Sequence, residues 1–319
     1  MYKTFYGFER NAFDITPDPF FYFPTSRHNE ALANLAYGIQ RRRGFVVVTG
    51  EVGTGKTLLV RCLLDLLNRV HIAFAYVFNT RLSAREFLQH VACDLRIATD
   101  ARNKTELLQD LHMFLIERYR AGSTTVLVID EAQLLSWDLL EEIRLLGNLE
   151  TAQEKLLQII FVGQPELDRK VDSPRLRQLK QRIGLRCHLE PLRQEEARNY
   201  IQRRLVLAGY RGDVDLFPEP IVTAIYQHSR GIPRLINAIC ENALICGCAK
   251  RARTINEEIV QEVASDLHLE RPPKANPVAS SMFMHDRDEI AKHSDEVLGR
   301  EDEHSSRDED AAAAAWEKA

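Results

Sequence analysis

Residues Phe45-Val-Val-Val-Thr-Gly-Glu-Val-Gly-Thr-Gly-Lys-Thr-Leu58 decide how this chain folds. The β-branched run Phe45–Thr49 reads as a buried strand, and Leu58-Leu-Val-Arg-Cys-Leu-Leu-Asp-Leu-Leu67 repeats apolar side chains at helical spacing. Glycines between them let the main chain curl until its N–H groups point inward, and the helix that follows adds the positive end of its dipole. The loop Gly50-Glu51-Val52-Gly53-Thr54-Gly55-Lys56-Thr57-Leu58 is therefore read as a cradle for the polyphosphate of ATP. Lys56 is expected to reach the β and γ phosphates, and Thr57 to hold Mg²⁺. The competing reading, a glycine-rich turn with no ligand, is disfavoured by the strand before it and the helix after it.

A second stretch bears on whether the nucleotide is split. Thr124-Thr-Val-Leu-Val-Ile-Asp130-Glu131 is a β-branched run ending in two carboxylates, the pattern of a buried parallel strand. Asp130 stands where a carboxylate coordinates Mg²⁺ through water, and Glu131 where one orients and deprotonates the attacking water. Paired carboxylates of this kind can also decorate the start of a helix. The phosphate loop upstream favours the catalytic reading.

With 319 residues, the chain suits one large or two modest domains. No stretch approaches eighteen apolar residues, and the first residues lack a signal-peptide layout, so a cytoplasmic protein is expected. Six cysteines without a C-x-x-C pair, and histidines without clustering, point to buried thiols and not to zinc or disulfides. The net charge is −4. The segment from Glu270 onward carries about −6, which leaves the rest near neutral at about +2. A folded part without a large basic field argues against tight, nonspecific binding of duplex DNA.

Strands and helices alternate through the first part. Strands are predicted at 45–49, 72–78, 125–130, 157–162 and 185–189, with helices near 26–40, 56–68, 83–96, 104–120 and 137–147. Such alternation demands a parallel sheet covered on both faces. After Pro191 only helices are predicted, at 194–208, 218–229, 233–250 and 256–267, the last opened by a capping box Thr254-Ile-Asn-Glu257. The expected organisation is an α/β nucleotide-binding core over 1–190 with an aromatic, proline-rich lead-in, a helical lid domain over 191–269, and a disordered acidic tail over 270–319.

A five-stranded core followed by a small helical domain is the layout of a P-loop ATPase of AAA+ type, with nucleotide between the two parts and between neighbouring subunits. Other polar residues fit that layout. Gln164 ends the apolar run Leu157–Gly163, where an amide can bond the γ-phosphate or the lytic water; it can equally cap the helix starting at Pro165. Asn79, at the end of another strand, could restrain Glu131 or merely cap its strand. Arg234, in Gly231-Ile-Pro-Arg234, opens a helix of the second domain and can lean onto the γ-phosphate. Among Arg175 to Arg182, one arginine is expected to neutralise transition-state charge in a neighbouring subunit, Arg182 ahead of Arg177.

On these residues the chain resembles the general secretion pathway protein A family of AAA+ ATPases, and within it the members that serve mannose-sensitive haemagglutinin type IV pili. The likeness spans about residues 1–268. It rests on Phe13–Pro19, Thr49–Leu58, Asp130-Glu-Ala-Gln133, Asn148-Leu-Glu150, Gly163-Gln-Pro-Glu-Leu167, Leu176–Ile183 and Gly231–Asn237. The resemblance implies an ATP-hydrolysing homo-oligomer, a hexameric ring among its forms, that powers or organises assembly of a pilus or secretion machine with an inner-membrane partner. Larger members add a membrane span and a peptidoglycan-binding module, neither of which is visible in this sequence. The alternative is an ATP-dependent DNA-binding adaptor of a transposition-type system, because such ATPases share the same short blocks.

Overall fold

The computed structural model describes residues 2–269 apart from positions 80 and 102; the expected acidic tail, 270–319, lies outside the described residues. In chain order the elements are α1 (Tyr2–Tyr6), α2 (Ser26–Gln40), β1 (Phe45–Gly50), α3 (Lys56–Arg69), β2 (Ala73–Val77), α4 (Ala84–Asp94), α5 (Lys104–Arg120), β3 (Thr125–Ile129), α6 (Trp137–Leu146), β4 (Leu157–Gly163), α7 (Pro165–Val171), α8 (Arg177–Lys180) and β5 (Ile183–Leu189). Helices α9 (Gln194–Leu207), α10 (Glu219–Ser229), α11 (Pro233–Ala249) and α12 (Glu257–Asp266) complete it.

All five strands are parallel, in the order β2-β3-β4-β1-β5. Strands β1, β3 and β4 are buried along their whole length, because helices cover both faces. Alternate side chains of β1 go to opposite layers: Val46 and Val48 pack with Leu35 of α2 and Leu63 of α3, while Phe45 and Val47 join Leu111 of α5 and Ile143 of α6. Leu59, Leu63 and Leu67 of α3 are at most 1% exposed, and each such leucine contributes about 2 kcal/mol of transfer free energy. The fold class is the expected one.

The order of strands positions the site. Strand β4 lies between β1 and β3, with Thr49 opposite Gly163 and Ile129 opposite Phe161. The loops leaving β1, β4 and β3 therefore emerge side by side at the carboxyl edge of the sheet, where open α/β sheets bind ligands.

Helices α9 to α12 share a separate apolar cluster, and the aromatic lead-in joins it. Tyr2, Tyr6, Phe8, Phe13 and Phe21 are buried against Leu205, Phe217, Ile236 and Val260. The buried aromatics of the lead-in thus join the helical cluster, while Arg61 of α3 donates to the Pro17 carbonyl on its other side. Arg204 of α9 anchors it, donating to the carbonyls of Ala12 (2.5 Å) and Asp14 (3.4 Å) while its guanidinium stacks 4.6 Å from the Phe21 ring.

Two local expectations change. The cap of α12 is Asn256, whose side chain accepts from the N–H of Ile259, in place of a box starting at Thr254. Burial of Ile255, whose N–H bonds the Leu216 carbonyl, holds the chain extended until the next residue. Among the cysteines, Cys187 and Cys240 are buried, but Cys93 is exposed on α4. No helix among the described residues is long and apolar enough to cross a membrane.

Candidate nucleotide site

The loop between β1 and α3 closes on itself through its own lysine. Lys56 is buried and its Nζ donates to the carbonyls of Gly50 (2.7 Å) and Glu51 (2.8 Å). Burial pushes its pKa down, and the nearby Glu131 and Asp130 carboxylates pull the other way. Gly53 and Gly55 take φ of +83° and +101°, which an L side chain rarely adopts. The N–H groups of the first turn of α3 have no carbonyl behind them, as at any helix start, and are available to an anion.

A buried histidine supports this loop from behind. Nδ1 of His28 lies 2.7 Å from the Thr25 hydroxyl and Nε2 lies 3.2 Å from the Thr54 carbonyl. One neutral tautomer satisfies both contacts, with Nε2–H donating to the carbonyl and Nδ1 accepting from the hydroxyl. Burial lowers the imidazole pKa accordingly. No motif in the helix that carries His28 marks it in the sequence.

Asp130 directly follows β3, beside Thr57. Its Oδ2 accepts from the Thr57 hydroxyl (3.3 Å) and from the Tyr76 hydroxyl (3.0 Å), and its Oδ1 from the N–H of Glu131 (2.9 Å). Burial raises its pKa against these donors. A hydroxyl and a buried carboxylate converging in this way form an oxygen donor pair suited to a hard divalent ion such as Mg²⁺. Tyr76 of β2 steadies the carboxylate, a role its place in an ordinary apolar strand did not announce.

Glu131 follows in a left-handed conformation, φ +51°. Its Oε2 accepts from Nε2 of Gln133 (2.5 Å) and of Gln164 (3.3 Å). Gln164 therefore reaches the carboxylate and does not cap α7, where no side-chain capping bond forms. Asn79 does not restrain Glu131. It is exposed and accepts from the N–H of Arg81, two residues on.

Arg234 comes from α11. Its N–H donates to the Gly53 carbonyl at 3.2 Å, so the amino end of that helix sits on the phosphate loop. A cavity of about 190 Å³ is lined by Lys56, Thr57, Glu131, Gln164 and Arg234, and also by Asp14–Asp18 of the lead-in. That the lead-in forms a wall of this cavity was not legible in its composition.

Arg182 and Arg177 lie elsewhere. Ile183 pairs with Phe45 and Leu189 with Gly50, so Arg182 sits about 20 Å down the sheet from its own phosphate loop. Its Nη1 donates to the Arg144 carbonyl (3.4 Å) and to the Asn148 side chain. Arg177 is exposed, and its side chain has no hydrogen-bond or ion-pair partner among the described residues.

With this geometry, similarity to known proteins becomes informative. An AAA domain family profile matches residues 39–171. General secretion pathway protein A of Aeromonas hydrophila is 42% identical over 256 residues, which cover 80% of this chain and 46% of that protein. The chain thus carries an AAA domain and is similar over most of its own length to general secretion pathway protein A. The match spans less than half the length of the Aeromonas relative. Solved structures share the fold at low identity. The ORC2 protein of Aeropyrum pernix superposes with a TM-score of 0.58 at 18% identity, covering 81% of this chain and 71% of that one. The RuvB branch-migration motor of Thermotoga maritima gives 0.52 at 16%, covering 82% and 74%.

Proposed function

We propose that this AAA ATPase binds Mg²⁺–ATP in the cavity between the β1–α3 loop and α11 and hydrolyses it to ADP and phosphate. The reading rests chiefly on the convergence of Lys56, Thr57, Glu131, Gln164 and Arg234 around one cavity, with Asp130 bonded to Thr57. Lys56 gives up its loop carbonyls to neutralise the β and γ phosphates, and Thr57 and Asp130 hold the magnesium ion. When bound, the ion neutralises charge that builds on the phosphate oxygens. Glu131 takes a proton from the attacking water, and Gln164 and Arg234 orient the γ-phosphate end.

Completion of the site needs a neighbour. The distance between Arg182 and its own loop favours a role across a subunit boundary for the arginines before β5, within a homo-oligomer that includes a hexameric ring among its forms. Arg177, whose side chain is unengaged among the described residues, is better placed for that role than Arg182, which is bonded within its own chain. The Aeromonas relative is named for the general secretion pathway, which supports assembly of a secretion or type IV pilus machine as the work powered. The protein then acts in the cytoplasm, held near the inner membrane by an assembly partner.

Turnover and binding measurements on two variants test the chemistry. Lys56→Ala should lose ATP binding, whereas Glu131→Gln should keep it and lose turnover by about 100-fold or more. Undiminished turnover in Glu131→Gln overturns the assignment. Turnover stimulated by duplex DNA, and falling with salt, would favour the transposition-type adaptor instead.

A further inference from the structure

We infer that Gln133 is a positioning residue for the hydrolytic water, setting the catalytic carboxylate by gripping one of its two oxygens. The inference rests on Glu131 being the water-activating base.

The turn that carries Gln133 is fixed from several sides. Residues Ala132–Leu134 form a single 3₁₀ turn directly after the left-handed Glu131. Nζ of Lys170, on α7, donates to the carbonyls of Gln133 (3.0 Å) and Leu135, so the turn is clamped to the helix that follows Gln164. Within that frame the Gln133 side chain makes two opposed bonds. Its amide N–H donates to Oε2 of Glu131 at 2.5 Å, and its carbonyl oxygen accepts the backbone N–H of Gln164 at 3.1 Å. Gly163 leaves the room for this: a Cβ there would stand 2.7 Å from the Gln133 oxygen.

A consequence follows for proton transfer. Oε2 of Glu131 receives two amide donors, from Gln133 and Gln164, while no protein donor is found on Oε1 among the described residues. The held oxygen fixes the rotation of the carboxylate. The other oxygen keeps its lone pairs for a water on the cavity side, which Glu131 lines. Only a side chain with a donor and an acceptor at one tip can join Glu131 to the Gln164 backbone, because the first partner is a carboxylate and the second an N–H. Glutamate at this position would set two anions against each other, and methionine would fill the volume with neither bond.

The test is a double-mutant cycle on the full chain, reading steady-state turnover, ATP affinity and thermal midpoint. Gln133→Met should lower kcat by about tenfold, with KM and the affinity for ATP unchanged within about twofold and the midpoint close to wild type. In a Glu131→Gln background the same change should have no further effect on the residual rate. An equal loss in both backgrounds, or a loss that tracks KM or the midpoint, overturns the positioning role. If Glu131→Gln itself leaves turnover intact, the base assignment fails first; if it abolishes turnover while Gln133→Met does not lower kcat, only this inference fails.

Discussion

The backbone N–H of Arg234 and the carbonyl of Gly53 are 3.2 Å apart, and that one bond ties the helical segment to the phosphate loop. The two residues touch so closely that a Cβ on Gly53 would lie 2.7 Å from the Cβ of Arg234. Any shift of the loop at Gly53 is therefore passed directly to the start of α11.

Gly53→Ala should weaken ATP binding by tenfold or more, about 1.4 kcal/mol at the tenfold limit. The substitution both strains a φ of +83° and pushes α11 off the loop. Titration calorimetry with Mg²⁺–ATP checks this, and wild-type affinity would show that the contact is idle.

Asp130→Asn should abolish turnover yet stabilise the nucleotide-free protein by about 1 kcal/mol. Burial raises the Asp130 pKa, so the folded state holds a proton more tightly than the unfolded chain does. Its ionised form is a cost at neutral pH, and that cost shrinks as pH falls through the raised value. Melting curves of the two proteins should accordingly converge toward acid pH; a constant gap contradicts the assignment of the cost to this carboxylate.

For His28 the sign is opposite. Its folded pKa is lowered below 6.5 by burial, so the unfolded chain takes up the proton first. Stability is fully present above pH 6.5 and declines as pH drops below it. His28→Gln should remove that part of the acid sensitivity, measured by denaturation at pH 7.5 and 5.5. A variant as acid-sensitive as wild type would place the effect on other groups.

Arg177→Ala should keep ATP affinity and lose turnover, and mixing it with Glu131→Gln should restore part of the rate, since one intact site forms between unlike subunits. Arg182→Ala should instead lower the thermal midpoint, because its guanidinium bonds Asn148 and the Arg144 carbonyl within the same chain. Absence of rescue for Arg177 in any mixing ratio counts against a role between subunits.

The parallel sheet, its coverage by helices, and the positions of the glycine-rich loop and of the paired carboxylates were readable from residue order alone. Those features are local: a β-branched run, a glycine spacing and a 3.6-residue repeat each constrain the backbone over a few residues. Residue order likewise put Gln164 just after a strand and Arg234 at the start of a helix. Partners that come from distant segments depend instead on how the chain folds back on itself. Tyr76 meets Asp130 because β2 and β3 are neighbours, His28 meets Thr54 because α2 packs against the loop, and Asp14–Asp18 wall the cavity because Arg204 pins the lead-in to α9. Asn79 and Gln133 show the same division. Both are polar residues after a strand, and their chemistry is equivalent on paper; strand order and the Lys170 clamp aim Gln133 at Glu131, while Asn79 caps its own loop.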